Sequence, residues 1–157
     1  MAMLLAAATA AQAVERLDDS ASPRSRVRAP VVLGEDGRPL QDSRNATRAT
    51  VRFGRVDYKL STARHAGRTA RIYYVVPAAI PGLRSPSGLR VEWRGSGLFA
   101  DGSAMPGERR LVWSGVVPGP WMTEGLDLTF HVDLRQLQLR PNEPFGFESY
   151  FEIEISP

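Results

Sequence analysis

The side chains that could do chemistry in this sequence are few. His65 and His131 are its two histidines, and His131 stands two residues before Asp133. A His/Asp pair at that spacing could share a proton or begin a metal site. Two side chains do not complete a tetrahedral site, and no third ligand is suggested by spacing, so the pair reads as a solvated strand face. Glu148, Glu152 and Glu154 could supply the paired carboxylates of glycoside hydrolysis. Their even spacing opposite Phe147, Phe151 and Ile153 is instead the pattern of an exposed strand face that discourages edge-to-edge aggregation. Cysteine is absent, which excludes disulfides, thiolate chemistry and Cys-based zinc sites. No nucleophile elbow, phosphate-binding loop or dinucleotide fingerprint is present. The expectation is a non-enzyme with no catalytic residue, no metal and no cofactor.

Aromatic rings are the other chemically useful set. Trp93 and Trp113 are in phase with the apolar residues around them and are expected in a core. Trp121 follows Pro118-Gly119-Pro120 and is the candidate for an exposed ligand contact.

The elements that must carry these residues are β-strands. Ala49, Val51 and Phe53 share one phase, which shifts after Gly54 to Val56, Tyr58 and Leu60. A glycine at a phase shift is what a β-bulge requires. Ile72–Val76 is a continuous apolar run stopped by Pro77, as a central strand would be. Leu89, Val91 and Trp93 alternate with charged residues, and Leu111 with Trp113 marks a further short strand. From Leu126 to Leu134 every second residue is apolar, and Leu137 and Leu139 extend the pattern past a kink. Phe145 to Ile155 alternates again. About six principal strands separated by Pro/Gly loops, with no amphipathic helix after residue 48, predict an antiparallel β-sandwich.

Residues 1–13 read as a signal peptide, a short apolar run ending at the small-x-small site Ala11-Gln12-Ala13. No later stretch approaches the length of a membrane span. Residues 14–48 are polar and turn-rich and read as an extended N-terminal arm, with the sandwich domain over 49–157. Within the arm, Val27, Ala29, Val31 and Leu33 alternate with Arg26, Arg28, Pro30 and Val32. Pro30 lacks a backbone donor, so such a strand belongs at an edge or binds in trans. Residues 14–72 carry 13 basic and 7 acidic side chains, whereas residues 73–157 carry 7 basic and 10 acidic. No helical arginine stripe or aromatic RNA-binding pattern accompanies the basic half, so nucleic acid is not an expected partner. Opposite charges on the two halves suit head-to-tail association.

The order of these parts resembles a chaperone–usher fimbrial subunit. The matching features are the alternating arm, the Ala49–Leu60 strand broken at Gly54, and the alternating strand that ends the chain. The resemblance implies an immunoglobulin-like sandwich lacking a strand, and donor-strand residues Val27, Ala29, Val31 and Leu33 that complete a neighbour. It implies other fimbrial subunits and a periplasmic chaperone as partners, and a location in the periplasm or on the cell surface. The second expectation is an exported β-sandwich module that binds a glycan or protein around Trp121.

Overall fold

The computed structural model describes residues 13–23, 31–43, 45–139 and 145–157. The signal-peptide run through Gln12 and the donor candidates Val27 and Ala29 lie outside the described residues. Nine strands form two antiparallel sheets. They are β1 (Val14–Arg16), β2 (Val31–Gly34), β3 (Arg48–Ser61), β4 (Thr69–Val75), β5 (Leu89–Gly95), β6 (Gly102–Ala104), β7 (Arg109–Val116), β8 (Trp121–Asp133) and β9 (Tyr150–Ile155). The first sheet has the order β1-β9-β4-β7 and the second β2-β3-β8-β5-β6.

An all-β sandwich is thus what the sequence forms. The strand order departs from the immunoglobulin arrangement, in which the first two strands are neighbours in one sheet. Here strands adjacent in sequence mostly fall in opposite sheets, as they do in a jelly roll. Only helical turns of the 3₁₀ kind occur among the described residues, and none of them is long and apolar enough to cross a membrane.

Alternation builds the core. Leu126, Leu128, Phe130 and Val132 of β8 are buried, and so are Ile72 and Tyr74 of β4, Leu89, Val91 and Trp93 of β5, and Phe151 and Ile153 of β9. Tyr74 lies at the centre, 4.7 Å from the Trp93 ring and 5.1 Å from that of Phe151. The register of β3 against β8 slips between Arg52 and Gly54, and this bulge reverses the apolar phase. Gly54 adopts φ +73, open to glycine and costly for branched side chains. Gly54→Val is expected to lower stability by about 1–2 kcal/mol, measurable by denaturant unfolding.

The described parts of the arm pair within the chain: β1 pairs with β9, Leu17 is buried in the core, and β2 pairs with β3. Two expectations are corrected. At Leu111 the phase of β7 is the reverse of that expected, because Val112 points inward while Leu111 is 50% exposed. A bulge at Val112, where the register slips between Ile72 and Tyr73, keeps Trp113 opposite buried Ile72 and partly packed against the core, as expected of it. After Asp133 the chain turns through a short 3₁₀ segment, Leu134–Gln136, rather than continuing as a strand.

Candidate functional site

The predicted chemical residues are dispersed into structural roles. His131 Nε2 lies 3.1 Å from a Glu92 carboxylate oxygen on the neighbouring strand, while Asp133 is held by Arg135 at 2.9 Å. The two residues of the expected pair therefore answer to different partners. His65 Nε2 is 3.3 Å from Glu15, which ties the turn after β3 to β1. Glu152 and Glu154 face Arg109 across the first sheet, at 3.2 and 3.9 Å. Arg109 also lies 3.7 Å above the Tyr73 ring. Among the described residues no three His, Asp or Glu side chains come together.

Trp121 opens β8 and is 45% exposed, with the Lys59 ammonium 4.5 Å above its ring. The donor candidate divides. Val31 stands opposite Arg52 and Leu33 opposite Thr50 in the β2–β3 ladder. Arg52 and Thr50 belong to the face of the second sheet turned away from the core, so the Leu33 register position is an outer one. Val32, opposite Val51, takes the core-side position. The Val27–Leu33 phase therefore does not point into this domain's own core at Leu33.

Sequence reasoning missed a groove. It has a volume of about 430 Å³ and lies where β3 and β8 meet the segment leading into β9. Its apolar floor holds Phe53, Val56, Leu128, Phe130, Phe145 and Phe147. Phe53 and Phe130 rings are 4.4 Å apart, and Phe130 stacks on Phe147 at 4.9 Å. Asp19, Asp57 and Glu148 bring carboxylates to its lining. Tyr58 closes one wall, and burial together with neighbouring Tyr74 raises its phenol far above the ordinary range. The clue in the sequence was the Phe145/Phe147 pair, which reads equally well as part of a strand.

Beside this groove part of the β3 edge has no strand paired to it among the described residues. Lys59 N donates to Ser22 Oγ at 2.9 Å, and Ser61 N donates to the Asp18 carbonyl at 2.9 Å. These amides point away from β8, and the period of two turns those of Arg55 and Asp57 the same way. β2 covers the other end of this edge, from Ala49 to Arg52. Among the described residues no strand pairs with the outer edge from Gly54 to Tyr58.

No known protein family matches the chain, and a search of curated proteins returns no similar sequence.

Proposed function

We propose that the chain is an exported subunit that joins other protein subunits by strand complementation. The groove is the acceptor, and the alternating Val27–Leu33 arm of a neighbouring copy is the donor. The observation behind this reading is the aromatic groove lying beside the Gly54–Tyr58 edge of β3, with which no strand pairs among the described residues. An added strand gains ladder hydrogen bonds from the edge and specificity from the pocket beneath every second side chain. The donor chemistry fits. Arg24, Arg26 and Arg28 alternate with Ser25, Val27 and Ala29, so an extended arm offers an apolar face to the floor and guanidinium groups to Asp19, Asp57 and Glu148.

Val31–Gly34 pairs within its own chain. Exchange of an identical element between copies preserves such contacts, which makes it a low-cost route to assembly. Continued exchange would yield a fibre, the assembly that the likeness to fimbrial subunits suggests.

Sedimentation over a range of concentrations tests this. The expected result is a concentration-dependent oligomer that dissociates on adding a peptide of residues 24–34, and that fails to form when residues 26–34 are deleted. Phe147→Ala removes a large apolar contact and should weaken binding of that peptide by about tenfold to a hundredfold. A protein that stays monomeric throughout and does not bind the peptide would overturn the proposal.

A further inference from the structure

The outer face of the second sheet carries a second pattern, which meets the groove at Asp57. Along β3 the outward positions are Lys59, Asp57 and Arg55, then Arg52, Thr50 and Arg48 beyond the bulge. The row runs roughly 36 Å at the rise of an extended strand. Trp121 stands at one end of it, beside Ser61 in the ladder. β5 adds Arg94, Glu92 and Arg90 to the same face, and β8 adds Asp127, Thr129, His131 and Asp133.

Two details show that these cations are held in place. Gly125 leaves a slot in the face into which Arg55 lies flat, so that a Cβ on Gly125 would collide with the guanidinium. Asp57 fixes Arg55 there through a 2.8 Å bond to Nε. Lys59 is fixed over the Trp121 ring. Among the described residues Arg52, Arg94 and Lys59 have no carboxylate partner within ion-pair distance.

We infer that this face binds an acidic polysaccharide laid along β3, with a sugar ring against Trp121 and its carboxylates at Lys59, Arg55 and Arg52. Lys59, Arg55, Arg52, Arg48, Arg94 and Arg90 outnumber the four carboxylates of this face, and the net positive charge favours an anionic chain. The interleaved Asp57, Asp127, Glu92 and Asp133 select for a chain that also carries hydroxyl donors, because a carboxylate accepts from a sugar hydroxyl. Single-stranded DNA offers phosphates to the same cations but no free sugar hydroxyls to the carboxylates. Trp121 is 45% exposed, and the part of the indole that Lys59 does not cover supplies a flat apolar surface for a sugar ring.

The experiment uses the full chain and its tryptophan fluorescence, to which Trp93, Trp113 and Trp121 all contribute; Trp121 is the most exposed of the three, and loss of the shift in Trp121→Ala assigns it. Polygalacturonate is the acidic probe, dextran the neutral control and single-stranded DNA the control polyanion. Polygalacturonate is expected to shift the emission and to bind more weakly as salt rises. Affinity measured by calorimetry should fall about tenfold or more in Trp121→Ala, and again in Lys59→Gln. Both positions are on the surface, so the thermal unfolding of the two variants should match the parent. Equal binding of dextran would overturn the role of the cations. Equal binding of DNA would reduce the face to unselective attraction for polyanions and so overturn the inference. Binding unchanged by both substitutions, or no binding of polygalacturonate, would also overturn it. The groove proposal is read by sedimentation, so either idea can fail alone.

Discussion

Trp93→Ala is expected to cost about 3–5 kcal/mol, the range for truncating a buried aromatic without full collapse of the site. Trp93 is 1% exposed and is among the largest fully buried side chains. Its ring packs 4.7 Å from that of Tyr74 and closes directly over Gly102, where a Cβ would approach its Cζ2 to 2.8 Å. Its Nε1 donates to the Ala100 carbonyl at 3.1 Å, so the ring also anchors the turn leading into β6. Truncation opens a cavity between the sheets and leaves that carbonyl without its donor. For a domain of this size the melting temperature should fall by roughly 6–20 °C. Trp93→Phe keeps an aromatic ring but loses the donor and part of the indole's volume, and should cost about 1–3 kcal/mol. A shift of a degree or less for Trp93→Ala, by calorimetry, would mean that the ring is not the centre of this core.

What the sequence made legible follows from the period of two. Where a strand is paired on both sides and buried on one face, as in β8 and β4, the alternation of Leu126–Val132 and the run Ile72–Val76 identify the core directly. Gly54 could be read as a bulge because a phase shift and a left-handed residue coincide there. Edge strands were harder. In β7, Leu111 and Trp113 look like one core face, yet a bulge at Val112 splits them, leaving Trp113 opposite buried Ile72 and turning Leu111 outward, where an edge strand can expose leucine at modest cost. β1 and β6 are three residues each, too short to show any period. Strand order was illegible for another reason: alternation says which residues face inward, but not which strand is the neighbour. The groove combines both difficulties. Phe145 and Phe147 continue the alternation of β9, but the ladder begins only at Tyr150, and that release from the sheet turns two core-like residues into groove lining.

Glu124 was not singled out by any spacing, yet it should be the most sensitive carboxylate in the protein. It is 6% exposed and sits at the end of β8 under the Ser96–Phe99 turn. One oxygen accepts from Leu98 N at 2.7 Å and Phe99 N at 2.6 Å, and the other from Ser96 Oγ and from Gly125 N at 3.0 Å. Burial alone would raise its pKa, but the Ser96 hydroxyl and the three amides outweigh burial and hold it below the ordinary glutamate value. Glu124→Gln cannot accept at both positions, and its amide would point at donors. The expected loss is about 3 kcal/mol or more, since buried donors to a charged acceptor are left unpaired. Phe99, which rests 5.5 Å from the Phe151 ring, should loosen with the turn. The sign of the pH dependence follows from the depressed folded value. The carboxylate's contribution is complete above the unfolded pKa of about 4.3 and disappears as pH falls through the lower folded pKa. Urea unfolding of wild type and Glu124→Gln should therefore diverge at neutral pH and converge in acid. If the gap stayed constant down to acid pH, the loss would come from altered packing rather than from the ionised carboxylate.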